Sequence, residues 1–282
     1  MQPQKGRSTL IGFLKIFRLG NCVMAAPGVL LAAIVCVGLG GLPDFGAQLA
    51  LSMLIVVAFT AAGNTYNDYF DREIDVKAHP ERPIPRGTVT PYGAALASVV
   101  LFAVAMALSF FVNPLSVAIV ATSIVFMVGY EKFLKAEGLA GNLAISWLTG
   151  ALFLFGGTAV NRLDVAWILA TLAFLATLGR EIVKDVQDIE GDKGSRLTLP
   201  MRIGVKKAGA VGASSFFAAV ALSPLPYLLS LLSIWYVPAV MVADAIFIYC
   251  ALISFRNPEI GQKTAKLAMV VALVAFLLGG VL

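Results

Sequence analysis

Nine apolar runs, each near the roughly 20 residues needed to cross about 30 Å of hydrocarbon, fill most of this sequence. They lie at about 20–39, 46–66, 91–111, 114–130, 140–159, 164–183, 207–230, 236–254 and 264–282. Charged residues or Gly, Pro and Asn separate them, and three prolines in "ALSPLPYLLSLLSIWYVPAV" blur the boundary between the seventh and eighth. A chain that is 59% hydrophobic, with a mean hydropathy of +0.89, exceeds the apolar content of ordinary soluble domains and reads as a polytopic, all-α membrane protein.

The 21 Lys and Arg residues test that count, because cytoplasmic loops retain positive charge. Lys5, Arg7, Lys15 and Arg18 fall on the same side as the loops after spans two, four, six and eight, 20 residues in all, and only Arg162 falls opposite. One span more or fewer would scramble this alternation. The pattern therefore places the N-terminus and these loops in the cytoplasm and the C-terminus outside. The net charge of +5 is then a topology signal with some attraction to anionic membrane lipid, and it calls for no nucleic-acid partner. The opening "MQPQKGRSTLIGFLKIFRLG" lacks the compact apolar core of a cleavable signal, so span one is expected to stay. Cys22, Cys36 and Cys250 sit within apolar runs without CxxC spacing and read as small buried hydrophobes.

Charge concentrates in two places. "NDYFDREIDVKAHPERPIPRG" (67–87) and "REIVKDVQDIEGDKGSR" (180–196) each carry nine Asp, Glu, Lys or Arg residues and follow spans two and six. Superposed at an offset of 117, Asp68 meets Asp185, Asp71 meets Asp188, Glu73 meets Glu190, Asp75 meets Asp192, Pro83 meets Pro200 and Gly87 meets Gly204. Lys15 and Arg18 meet Lys132 and Lys135 at the same offset. We read one transmembrane domain, 1–282, built of two parallel four-helix pseudo-repeats (about 10–126 and 127–243) and a ninth helix at about 264–282.

Asn67, Asp71 and Asp75 recur every four residues and, on a continuing helix, would line one face roughly 6 Å apart, as would Asp188 and Asp192 with Asp185. One such charged loop is equally an ordinary solvated helix end. Two with the same acidic spacing favour a shared ligand, and unpaired carboxylates this close call for a cation among them. All-oxygen donors suit Mg²⁺, which takes one or two carboxylates together with substrate phosphate, whereas a lone histidine, His79, argues against zinc. Two such clusters at one rim of an apolar bundle suit a diphosphate whose tail lies among the helices, and an allylic prenyl diphosphate fits. Lys132 and Lys135 in "GYEKFLKAEG", and Arg18 with Asn21 at the entrance to span one, are placed to grip phosphate. Arg72, Arg82, Arg86, Arg180 and Lys184 surround the clusters and balance them. Tyr130 offers a ring face to a cation, Asn142 faces the cavity or caps span five, and Asp244 in mid-span reads as a structural polar contact. The Pro- and Gly-rich "PERPIPRG" and "LTLPMRIG" suggest compact loops over the site.

These features resemble the UbiA-type intramembrane prenyltransferase superfamily, whose NxxxDxxxD and DxxxD motifs match Asn67-Asp71-Asp75 and Asp188-Asp192. The resemblance covers essentially the whole chain and implies nine helices around a central cavity open to lipid. Carried over, it makes Asp71, Asp75, Asp188 and Asp192 the catalytic carboxylates. One Mg²⁺ would be bound by Asn67, Asp68, Asp71 and Asp75, and a second by Asp185, Asp188 and Asp192. Substrate contacts would come from Arg18, Asn21, Arg72, Tyr130, Lys132, Lys135 and Lys184. The partners implied are a prenyl diphosphate donor and a lipid-like, phosphate-bearing acceptor. The two charged segments are most similar to the archaeal branch, which transfers a geranylgeranyl group to a prenylated glyceryl phosphate and forms the second ether bond of archaeal lipids. In "FRLGN", many relatives have Arg-Pro before the Asn, but Arg18 and Asn21 keep the matching positions. An aromatic acceptor is the alternative within the superfamily. A secondary transporter is a third reading, disfavoured because transporters place coupling carboxylates near the bilayer midplane and these lie at one rim.

Overall fold

The structure, a computed structural model, describes residues 4–192 and 196–282, with the side chains of residues 4–8 and Met24 excepted. Lys193 of the basic tally thus lies outside the described residues, as do the side chains of Lys5 and Arg7. Among the described residues there are fourteen α-helices, two 3-10 turns and no strand. In order they are α1 (Gln4–Ile16), α2 (Leu19–Gly41), α3 (Gly46–Phe70), α4 (Arg72–Ala78), α5 (Pro91–Ser109), α6 (Pro114–Lys132) and α7 (Leu139–Ala159). There follow α8 (Leu163–Gln187), α9 (Ile189–Asp192), α10 (Leu199–Ile203), α11 (Val205–Leu222), α12 (Leu225–Leu228), α13 (Tyr236–Ile253) and α14 (Pro258–Val281).

Eight stretches of the described residues are long and apolar enough to cross a membrane. The first, Leu19–Phe70, is 52 residues long, far more than one crossing needs. Gly38 breaks it at φ 66, a 3-10 turn follows at Leu42–Phe45, and α2 and α3 fold back on each other. The chain is a multi-pass membrane protein with nine long helices among the described residues. Span seven is shorter than its apolar run: α11 stops at Leu222, before Pro224 and Pro226. α1 was not foreseen from the basic N-terminal sequence. It packs Phe13 and Ile16 on Ile84 and Val89 and leaves Leu10, Ile11 and Leu14 exposed.

Local sequence explains the helix starts. Pro91, Pro114 and Pro258 open helices where a missing N–H costs nothing. Thr90, Asn113 and Asn257 precede them, and their side-chain oxygens accept the backbone N–H of Gly93 (3.0 Å), Ser116 (2.8 Å) and Ile260 (3.0 Å).

α7 packs on α2, α6 and α8, and α14 packs on α2, α8 and α13. Between membrane helices, where hydrophobicity supplies no net drive, close approach of small residues holds the contact. At Gly156 a Cβ would lie 2.6 Å from the Ala32 Cβ and 2.7 Å from the Val29 carbonyl oxygen, whereas Gly40 has nothing within 4 Å. Gly156→Val should therefore destabilise the bundle by about 2 kcal/mol. Gly40→Ala should leave the thermal midpoint in detergent near that of the parent, and equal midpoints for the two variants would refute this α2–α7 packing.

Candidate active site

α3 and α8 are each 25 residues long, and each hands over to a short helix at an aspartate. Asp71 (φ −81, ψ 0) and Asp188 (φ −91, ψ 7) have nearly the same backbone. Their N–H groups donate to the carbonyls of Asn67 and Lys184 at 2.9 Å, and their carbonyls accept from Asp75 (2.8 Å) and Asp192 (3.0 Å). The expected continuous helix through each motif is therefore interrupted at its central aspartate, although the four-residue hydrogen bonds carry across the break.

The first motif's carboxylates are paired with cations, which corrects the expectation that they are unpaired. Asp68 and Asp75 are each only 3% exposed, and a buried carboxylate needs both counter-charge and hydrogen bonds. Arg18, left-handed at φ 51 between α1 and α2, pairs with Asp68. Arg82 donates from one nitrogen to both Asp75 oxygens at 2.8 and 2.6 Å and lies 3.7 Å from Asp68. Lys135, just past α6, donates to both Asp71 oxygens at 2.9 and 2.8 Å.

A residue that the motifs did not point to completes this network. Glu131, on the last turn of α6 and 9% exposed, accepts from the Asn67 side-chain amide at 2.9 Å and from the Lys135 ammonium at 3.4 Å. The same Asn67 nitrogen donates to Asp71 at 3.2 Å. Asn67, Asp71, Lys135 and Glu131 thus close a ring in which the Asn67 oxygen is free of the ring's hydrogen bonds. Position 14, the counterpart of Glu131 at the repeat offset, is a leucine, so the repeat gave no signal for it.

The second motif has different partners. Asn142 on α7 donates its amide N–H to buried Asp185 at 2.9 Å, and Arg196 reaches Asp192 at 3.2 Å. The Asp188 side chain, half-buried, has no ion pair or hydrogen bond among the described residues. Lys184 approaches Glu181 at 3.7 Å, and Arg180 pairs with the same carboxylate.

Asp71, Asp75, Glu131, Lys132, Lys135 and Arg196 all face one cavity of about 350 Å³. Of the expected metal ligands only Asp71 and Asp75 line it; Asp185, Asp188 and Asp192 do not, and Arg196, four residues past Asp192, is what the segment after the second motif contributes. Other expected contacts are not among its lining residues. Arg72 donates to the Tyr69 carbonyl at 2.7 Å and stacks over its ring at 4.6 Å, and Asn21 is exposed on the first turn of α2. Tyr130 precedes Glu131 on α6 and is half-buried. The loop after α4 is compact, with the Pro83 carbonyl accepting from Thr88 (3.0 Å) and Val89 (3.2 Å). The second loop is tied to the segment between α6 and α7, where the Leu197 N–H donates to the Ala136 carbonyl at 3.2 Å.

No three His, Cys, Asp or Glu side chains among the described residues converge on one point. The donor chemistry nevertheless fits a hard divalent cation: the ligands are oxygens, and the Lys135 ammonium already occupies the space between the Asp71 and Glu131 carboxylates.

A model of the UbiA prenyltransferase family matches residues 25–279. Digeranylgeranylglyceryl phosphate synthase of Natronomonas pharaonis is 42% identical over 270 residues, which is 95% of this chain and 96% of the relative. A solved structure described as digeranylgeranylglyceryl phosphate synthase superposes with a TM-score of 0.90 at 32% identity, covering 97% of this chain and 99% of that one. A UbiA homolog from Archaeoglobus fulgidus bound to GPP and Mg²⁺ shares the fold, with a TM-score of 0.66 at 14% identity over 94% of this chain and 98% of that one.

Arg82→Ala would leave the buried Asp75 carboxylate without its counter-charge. The expected cost is about 3 kcal/mol, read as a lowered thermal midpoint in detergent. Combining it with Asp75→Leu should recover part of that loss, and a midpoint unchanged by Arg82→Ala would show that the pair contributes nothing.

Proposed function

The chain belongs to the UbiA prenyltransferase family, and we propose that it transfers a geranylgeranyl group from geranylgeranyl diphosphate to the free hydroxyl of geranylgeranylglyceryl phosphate. The observation that carries this reading is the rim cavity beside the first motif. Carboxylates able to face a metal-bound diphosphate and cations able to hold phosphate line the same space above an apolar bundle. A phosphate-bearing acceptor makes use of Lys132, Lys135 and Arg196 together, whereas an aromatic acceptor would need fewer cations.

Asp71 and Asp75 with Asn67, and Asp188 and Asp192, are the residues we assign to hold Mg²⁺, with Asp68 and Asp185 orienting basic and amide neighbours beside them. Bound there, Mg²⁺ would neutralise charge on the diphosphate as it leaves. Lys135 and Lys132 hold phosphate oxygens, and Glu131 keeps Asn67 and Lys135 in place. The allylic carbon–oxygen bond breaks with its electron pair going to diphosphate, leaving a resonance-stabilised cation. The acceptor's hydroxyl oxygen attacks that carbon to form the ether, and its proton passes to a motif carboxylate or to the departing diphosphate. Loops folded close over the rim would keep water from the cation.

Two further readings accompany this one. The 20-to-1 division of Lys and Arg supports a cytoplasmic N-terminus and active site with an external C-terminus. The matched bounds of α3 and α8, 117 residues apart, support a duplicated four-helix unit followed by α14.

Asp71→Ala and Asp188→Ala should each lower transfer by about 10²-fold or more, measured as labelled product from geranylgeranyl diphosphate, while the purified variants keep the parent's elution profile. Near-normal activity in either would defeat the paired-motif mechanism. With candidate acceptors in competition, label should enter geranylgeranylglyceryl phosphate, and preferential labelling of an aromatic acceptor would overturn the assignment of substrate.

A further inference from the structure

At 13 residues, α1 is too short to cross the hydrocarbon. The left-handed turn at Arg18 ends it before α2 begins, so it is a separate element and not an extension of the first span. Its two faces differ. Gly12 and Ile16 are buried against the loop after α4: a Cβ on Gly12 would lie 2.9 Å from a Val89 methyl and 3.1 Å from the Thr88 hydroxyl, and Ile16 clusters with Ile84 and Val89. Leu10 and Leu14, one turn apart, and Ile11 beside them face away from the protein, and Leu10 is 63% exposed.

Position and charge say what covers this face. α1 leads into α2, whose Leu19 and Val23 are exposed on the outside of the bundle, where the surroundings of a membrane span are lipid. The exposed stripe of α1 therefore sits beside the bilayer where the first span enters it. The first 43 residues carry Lys5, Arg7, Lys15 and Arg18, and no acidic residue precedes Asp44. Arg18 is taken by Asp68, but Lys15 is exposed one turn from Ile11. An apolar helical stripe flanked by cations, with no acid among them, is what an anionic lipid surface holds.

We propose that α1 lies in the plane of the membrane surface on the motif side, with Leu10, Ile11 and Leu14 among acyl chains and Lys15 against anionic lipid headgroups. The same helix carries the loop after α4 on its other face, and Arg18, just past its end, holds Asp68. That loop supplies Arg82 to Asp75, so the lipid surface braces the first motif from outside the bundle. The inference needs only a chain that spans the membrane and is independent of the reaction proposed above.

Leu10→Cys, Leu14→Cys, Val23→Cys and Glu81→Cys, made singly in the full chain, would be spin-labelled and placed in phosphatidylcholine vesicles containing a quarter phosphatidylglycerol. The parent, whose three cysteines are buried, gives the background. Collisions of each label with oxygen are compared with those of a water-soluble nickel chelate. Val23, exposed on α2, marks lipid, and Glu81, exposed in the loop after α4, marks water. The oxygen-to-nickel ratio at Leu10 and Leu14 should exceed that at Glu81 by about threefold or more and approach that at Val23. A ratio at either leucine equal to that at Glu81 would overturn the inference. In phosphatidylcholine alone the ratio at Leu10 should fall to about half. An unchanged ratio would show that apolar contact alone holds the helix and would overturn anionic lipid as the partner. Should Leu14→Cys not elute as the parent does, Ile11→Cys on the same face is read in its place under the same criteria.

Discussion

A carboxylate buried near the end of a membrane helix needs counter-charge or hydrogen bonds, and in this bundle three such partners come from other segments. Arg18 precedes α2 and holds Asp68 on α3, Lys135 follows α6 and holds Asp71, and Asn142 on α7 holds Asp185 on α8. Breaking a buried pair of this kind costs several kcal/mol because the survivor is left charged in a poor solvent. The acidic residues therefore fasten the helix ends to one another, and Asp71 also faces the cavity.

The two halves match in backbone and differ in partners. Asp71 and Asp188 terminate helices of equal length with nearly equal dihedral angles. Yet Asp71 is bound by an ammonium through both oxygens, while Asp188 has no such partner among the described residues. The matched helix ends thus set the positions of the two aspartates, and the different cations give each its own electrostatic character.

Much of this was legible in the sequence. Span boundaries follow from apolar length and from Pro and Asn at helix starts, so α3, α6 and α7 begin within a residue of their expected positions. The aspartates were legible because their spacing recurs. Glu131 was not, because it has no counterpart in the first repeat and its importance comes from burial against Asn67, 64 residues away. The pairing of Arg82 with Asp75 was likewise hidden, since a basic residue in a charged loop carries no mark of the carboxylate it will meet. The break at Asp71 escaped the four-residue pattern because the hydrogen bonds preserve that pattern across its non-helical dihedral angles.

α2 and α14 touch closely: a Cβ on Gly280 would lie 2.8 Å from the Val35 Cα. More than two hundred residues separate them in sequence. At a ribosomal pace of roughly 10 residues per second, α2 waits about twenty seconds in the bilayer before its neighbour exists. Through that interval its small-residue flank faces lipid or the insertion machinery, and the α2–α14 contact forms only once α14 is delivered. That contact thus becomes available after every contact among α2 to α13, and errors of membrane insertion at any of those helices would be felt there.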